Sequence, residues 1–246
     1  MLADNLSRLE DLIAAACRAA GRTRGEVELM AVSKTFPAST ILEASALGLT
    51  LFGENRVQEW AQKSAQFGPN RQGAERRCHL IGHLQSNKAA RAAELFDGID
   101  SLDSLRLAER LDDAALKLRK RLPVLIEVKL SAEETKAGVD PESNEAAQLL
   151  EALPSLASLE TRGLMTIAPW GAPDDVTRAC FRSLRMWRDR WTQAHPRLNL
   201  EVLSMGMSGD FPLAIAEGAT RIRVGTALFG KRPKPEQAAP GAEDGN

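Results

Sequence analysis

The side chains best suited to chemistry in this chain fall where short apolar runs end. Lys34 closes "VELMAVSK" (27–34), just ahead of Pro37, which lacks the N–H that strand pairing needs. Asn55 closes "LTLFGEN", His83 closes "CHLIGH", and Met165 lies inside "TRGLMTIAP". The run "NLEVLSMGMS" delivers Ser204, Met205, Gly206 and Ser208, and "TRIRVGTALFG" delivers Arg223, Gly225 and Thr226. A primary amine can capture a carbonyl. Hydroxyls beside glycines offer an anion both O–H groups and bare backbone N–H groups that it can approach closely. Together these residue types describe a phosphate-bearing carbonyl ligand held covalently.

Chemistry of that kind needs the residues at one mouth, and the spacing of elements predicts one. Eight strand-like runs are legible, at 27–34, 49–55, 78–83, 98–104, 123–130, 161–169, 199–208 and 220–230. Helical spacing follows most of them. Pro37 suits the start of a helix that Gly48 ends, Ser86 can cap "NKAARAAELF", and Asp140 with Pro141 opens "ESNEAAQLLEAL". Val176, Cys180, Leu184, Trp187 and Trp191 make a stripe of helical period that packs on a sheet. Strand–helix alternation in a chain of this length predicts an α/β fold, a single (β/α)8 TIM barrel, with a doubly wound open sheet as the second choice. No clear helix follows the eighth run. An extra N-terminal helix, with apolar positions at Leu6, Leu9, Ile13, Ala16, Cys17 and Ala20, is expected to fill that place in the outer ring. The barrel is expected over 1–230 and a disordered C-terminal tail over 231–246.

In a (β/α)8 barrel the site forms at the C-terminal ends of the strands, with phosphate often bound after strands 7 and 8. That rule gathers Lys34, Asn55, His83, Met165, the Ser204–Met205–Gly206 stretch, Arg223, Gly225 and Thr226 around one rim. Pyridoxal 5'-phosphate has the required aldehyde, phosphate and ring nitrogen. Lys34 would supply the amine, and Ser204, Gly225 and Thr226 the phosphate donors. Arg223 lies two residues before Gly225, on the same strand face, and could reach the ring nitrogen. A protonated guanidinium donates to an unprotonated nitrogen, so the ring is a poorer electron sink than with an aspartate partner. Asn55 is expected near the imine or the ring oxygen. His79 and His83 are four apart, a zinc-like spacing on a helix. On a strand the same spacing spans too far for one ion, and no acidic partner is evident.

The stretches "AVSKTFP", "LFGENRVQE", "HLIGHLQSNK", "TKAG", "RGLMTIAP", "LSMGMSGDFPLAIAEGAT" and "RIRVGTALFG" occur in this order over nearly the whole chain except the tail. In them the chain resembles the pyridoxal phosphate homeostasis protein family, whose barrel is similar to the N-terminal domain of alanine racemase. The resemblance implies the cofactor as a Schiff base on Lys34, with its phosphate near Ser204, Gly225 and Thr226. It implies a carrier or buffer of the cofactor inside the cell, without established turnover, with apo forms of cofactor-dependent enzymes as candidate recipients. Lys136 matches a family lysine proposed to hold cofactor transiently. Phe36, Arg56 and Cys78 depart from the family's common lysine, tyrosine and tryptophan. The departure at Phe36 weakens the case for a multi-lysine relay from Lys34.

The alternative is an amino-acid racemase of the alanine racemase type. The resemblance implies two bases for that reaction, the cofactor-bearing lysine and a tyrosine, and this chain has no tyrosine. A second domain after the eighth strand is not expected either. Composition excludes other classes. With 32 basic and 33 acidic side chains among 246 residues, net charge is -1, which does not suit a nucleic-acid partner. The basic cluster Lys117, Arg119, Lys120 and Arg121 reads as a solvated helix end. Three scattered cysteines fit neither a disulfide framework nor a zinc knuckle. No signal peptide or membrane span is legible, so a cytoplasmic protein is expected, and because no long apolar surface segment is left over, a monomer.

Overall fold

The computed structural model describes residues 1–67, 76–131 and 137–231. The first half runs α1 (Leu2–Ala19), β1 (Glu28–Val32), α2 (Ala38–Ala46), β2 (Leu51–Glu54), α3 (Val57–Ser64), β3 (Arg77–Leu80), α4 (Ala89–Leu95) and β4 (Gly98–Leu102). The second continues α5 (Leu105–Lys117), β5 (Leu122–Glu127), α6 (Asn144–Ala152), β6 (Leu159–Met165), α7 (Asp174–Ala194), β7 (Val202–Ser204), α8 (Phe211–Ala216), β8 (Arg221–Val224) and α9 (Thr226–Phe229). The eight strands pair in sequence order, all parallel. β8 closes the barrel on β1, with Glu28 opposite Arg221 and Ala31 opposite Val224.

This is the expected (β/α)8 barrel with its extra N-terminal helix. The strands are almost wholly buried because helices cover the outside and side chains fill the inside. Met30, Val32, Leu51 and Ile81 form a small apolar cluster of their own. A Cβ on Gly53 would lie 2.8 Å from the Met30 sulfur, so this glycine lets the interior layer close. Toward the N-terminal ends of the strands the interior is ionic. His79 Nδ1 lies 2.8 Å from Asp100, and Arg221 donates to both Asp100 and Glu28. Those bonds satisfy charges that would otherwise be costly to bury.

The larger core lies between barrel and helices. α1 buries Leu2, Leu9, Ile13 and Cys17 and lies against α8 and α9, where the Asn5 amide donates to the Leu228 carbonyl at 3.0 Å. One short turn, α9, follows the eighth strand where no helix is legible in the sequence, and α1 fills the rest of that place.

Three local readings are corrected. Ser86 heads a short 3-10 turn, Ser86–Lys88, and α4 begins only at Ala89. Ser143, not Asp140, caps α6: its Oγ accepts from Ala146 N at 3.1 Å while donating to the Asp140 carbonyl. The stripe on α7 is rotated, with Val176 43% exposed while Thr177 and Phe181 are buried beside Cys180, Leu184 and Trp191. The basic cluster after α5 is also less free than expected, because Lys120 Nζ donates to the carbonyls of Ala93 and Phe96. Lys136 and residues 232–246, most of the expected tail, lie outside the described residues. Among the described residues no helix is long and apolar enough to cross a membrane.

Candidate functional site

The β1–α2 connection is built to hold one lysine. Ser33 N donates to the Gly53 carbonyl at 3.1 Å, continuing the β1–β2 ladder by one residue, and Lys34 follows in the turn, half-buried. Thr35 then takes φ +69°, a left-handed conformation rare for a β-branched residue. A buried ionic knot compensates this strain. Glu59 Oε1 accepts from Thr35 N. Lys63 Nζ donates to Glu59 at 2.7 Å, to Glu54 at 2.7 Å and to the Ser33 carbonyl at 2.9 Å. Ser33 Oγ donates to the same Glu54 oxygen at 2.7 Å. Glu54 is 0% exposed and Lys63 6%. Burial pushes the Glu54 carboxyl up despite Lys63 beside it. For Glu59, burial is outweighed by the Lys63 ammonium and the Thr35 N–H, which hold its carboxyl low. Glu59 and Lys63 stand one turn apart on α3, so a single helix face supplies half of the clamp.

Around the rim, Asn55 directly follows β2. Gly82 makes room for it, since a Cβ there would lie 2.4 Å from the Asn55 carbonyl oxygen. Asn55 Oδ1 is buried and has no hydrogen-bond partner among the described residues. Arg223 lies in the barrel interior, with Nη1 donating to the Ser204 carbonyl at 2.7 Å and hydroxyl at 2.9 Å. Its Nη2 donates to the Thr166 carbonyl at 2.8 Å. Burial lowers the Arg223 value, against the pull of Asp100, Glu127 and Asp210. His83 is 58% exposed at its side chain and contacts Asp103 at 3.1 Å.

After β8, Gly225 packs on the end of β1, where a Cβ would meet the Val32 carbonyl at 3.2 Å. Thr226 is exposed, and Ala227 N donates to Ser208 Oγ at 3.3 Å. Gly206 has φ +92° and accepts from Arg223 N at 2.9 Å. Asp210 accepts from Met207 N, which fixes the β7–α8 turn.

All ten residues expected at the site stand at the C-terminal ends of the strands or just beyond. Lys34, Asn55, His83, Gly225 and Thr226 follow β1, β2, β3 and β8. Met165 and Ser204 end β6 and β7 and are buried, with Met205 and Gly206 buried beyond them. Ser204 Oγ accepts from Arg223, and Ser208, which is not one of the ten, is the serine beside Thr226. His79 and His83 each have an acidic neighbour, Asp100 and Asp103 respectively, contrary to the sequence reading. Among the described residues no cluster of three or more His, Cys, Asp or Glu could hold a metal ion.

Glu127, the last residue of β5, escapes sequence reading, as does the Glu54–Glu59–Lys63 knot. Its signal is that it is the one acid inside the apolar run "PVLIEVKL". The residue is 5% exposed and Oε2 has no partner among the described residues. Burial, with Asp103 nearby and only Arg223 opposing, pushes its carboxyl up to about 7. The folded protein therefore keeps a proton there that the unfolded chain releases above the ordinary value of 4.5. Stability then falls as pH rises through that window and stays lower above it. Glu127→Gln removes the ionisation and is expected to stabilise the protein by on the order of 2 kcal/mol at pH 8, with little effect at pH 5. Melting curves at the two pH values, expected to differ in their shift by roughly 4–8 °C, check this; equal shifts would refute it.

The chain matches the model of the alanine racemase N-terminal domain family over residues 5–233. It is 40% identical to the pyridoxal phosphate homeostasis protein of Haemophilus influenzae over 231 residues, 93% of this chain and 94% of that protein. It is 42% identical to the protein of that name from Aquifex aeolicus over 230 residues, 93% and 97% of the two chains. The structure of PipY from Synechococcus elongatus PCC7942, with PLP bound, superposes at a TM-score of 0.82 with 43% identity, covering 94% of this chain and all of that one. An alanine racemase of Clostridium difficile 630 shares the fold at a TM-score of 0.65 and 15% identity, over 85% of this chain and 54% of its own.

Proposed function

We propose that the chain, which belongs to the alanine racemase N-terminal domain family and within it to the pyridoxal phosphate homeostasis proteins, binds pyridoxal 5'-phosphate at the barrel mouth and holds it as a carrier. PLP is bound in PipY. The residues present here fit the same cofactor. Lys34 provides a half-buried amine on a clamped turn, and Asn55 Oδ1 is a buried polar atom awaiting a partner. Arg223 is a rigidly held cation at the centre, and Gly225, Thr226 and Ser208 gather backbone and hydroxyl donors where β8 ends. When bound, the cofactor supplies an aldehyde that condenses with an amine. In this reading the linkage is a Schiff base with Lys34, and Arg223 faces the ring nitrogen. Gly225 and Thr226 take the phosphate, while Ser204 acts by holding Arg223 in place.

The observation that carries the reading is the convergence of these side chains, from four separate strand ends, on one mouth. Borohydride reduction of the purified yellow protein, followed by peptide mapping, tests it. The modified residue is expected to be Lys34, and any other site would overturn the assignment. Ser204→Ala and Thr226→Val are each expected to weaken cofactor retention by about 1–3 kcal/mol, measured by dialysis against apo-enzyme. Unchanged retention in both would remove the proposed cradle.

The reading extends to a cytoplasmic monomer that passes its cargo to apo-enzymes. Its three cysteines are buried and form no disulfide, which suits a reducing compartment. Exposed large apolar side chains such as Leu12, Leu42, Leu116 and Trp170 are spread over α1, α2, α5 and a loop. Sedimentation measures the oligomeric state directly. Racemase chemistry is the second reading, since the family model is named for alanine racemase. The absence of any tyrosine in the sequence speaks against a two-base mechanism with that residue. Chiral chromatography after incubation with L-alanine is expected to show no sustained formation of the D-isomer.

A further inference from the structure

We propose that the cavity at the end of β5 is a binding subsite for a primary ammonium group, placed beside the lysine of the mouth. The cavity measures about 190 Å³ and is lined by Asn55, Gly82, His83, Glu127, Lys129 and Ser131, among others. Five buried side-chain oxygens lack a hydrogen-bond partner among the described residues, and three of them, Asn55 Oδ1, Glu127 Oε2 and Ser131 Oγ, belong to side chains lining this one space. Unpaired buried acceptors are costly, so their concentration in one cavity marks a place for a ligand rich in donors. An ammonium group has three donors and no acceptor, which matches a set of three acceptors. One carboxylate with two neutral oxygens suits a monovalent cation, and Glu127 is the only acid among the lining residues.

The position gives the site its meaning. Asn55 and Lys34 directly follow Glu54 and Ser33, which are hydrogen-bonded to each other across β1 and β2. An amine seated at Asn55 and Glu127 is thus a molecule of the same chemical class as Lys34 at the same rim. Asp103 raises and Arg223 lowers the Glu127 carboxyl, and Lys129 and His83 line the same cavity. Its rise to about 7 means that ammonium binding must compete with a proton, and a bound cation must draw the titration downward. Asn55 is shared with the carrier reading, whereas Glu127 and Ser131 are not, so the subsite is tested at those two residues.

The test uses the full-length protein freed of cofactor, with glutamate side-chain carboxyls labelled with ¹³C for NMR. Methylammonium is expected to lower the midpoint of the Glu127 titration by half a pH unit or more. Sodium, and tetramethylammonium, which carries the charge without N–H donors, are expected to leave it in place. Glu127→Gln is expected to weaken methylammonium binding at least tenfold, and Ser131→Ala about threefold, both read from amide shifts. Lys34→Ala should bind methylammonium as the parent does, so failure of the cofactor assignment and failure of the subsite are seen separately. No midpoint shift, an equal shift with sodium or tetramethylammonium, or unchanged affinity in both subsite variants would overturn the proposal.

Discussion

Replacing Lys34 by alanine is expected to abolish the yellow colour and all borohydride-fixed cofactor while leaving the barrel intact. The physical reason is the place of the side chain. Lys34 sits in a turn outside the strand ladder and outside both apolar clusters, so truncating it opens no core cavity. The turn itself is held by Ser33, Glu59 and Lys63, none of which changes. Circular dichroism and melting temperature are expected to match those of the parent to within a few degrees. A variant that still bears a reducible adduct would refute Lys34 as the anchor. Collapse of the fold would refute the separation of anchor from scaffold.

The opposite pattern is expected at Lys63. This ammonium is buried against two carboxylates and a backbone carbonyl. Lys63→Ala leaves Glu54 fully buried with its charge uncompensated, and breaking such a pair costs about 3–5 kcal/mol. In a domain of this size that lowers the melting temperature by roughly 10 °C. The left-handed Thr35 also loses the support that Glu59 derives from Lys63, so cofactor retention should fall in parallel. Adding Glu54→Gln to Lys63→Ala is expected to recover part of the stability, because the orphaned charge is then gone. A single variant that melts within 2 °C of the parent, or a double variant worse than the sum of the singles, would show that the knot does not hold the turn.

These two lysines separate what was legible in the chain from what was not. Lys34 announces itself, since a cation between an apolar run and a proline is visible in nine letters. Lys63 lies in "VQEWAQKS", where nothing in its type or spacing singles it out. Its role depends on Glu54, nine residues away on another element, and on the depth to which barrel closure carries both. Glu127 is similar. One acid in a run of apolar residues is a weak signal until β5 is seen to end in a cavity with Asp103 and Arg223 nearby. Ser204 shows a role the sequence does not reveal: its type and place suit a phosphate ligand, and in the structure its Oγ also accepts from Arg223.

The sequence by itself determined the alternation of strands and helices, the closed parallel barrel, the rim that collects Lys34, Asn55, Arg223 and Gly225, and the family. Those follow from local periodicity and from a topological rule that places strand ends together. Only the tertiary structure decided which polar atoms are satisfied, which carboxyl keeps its proton near neutrality, and which lysine is a clamp. Burial and hydrogen bonding are properties of pairs brought together by chain closure, and the residues that set them stand as far apart as Glu28 and Arg221.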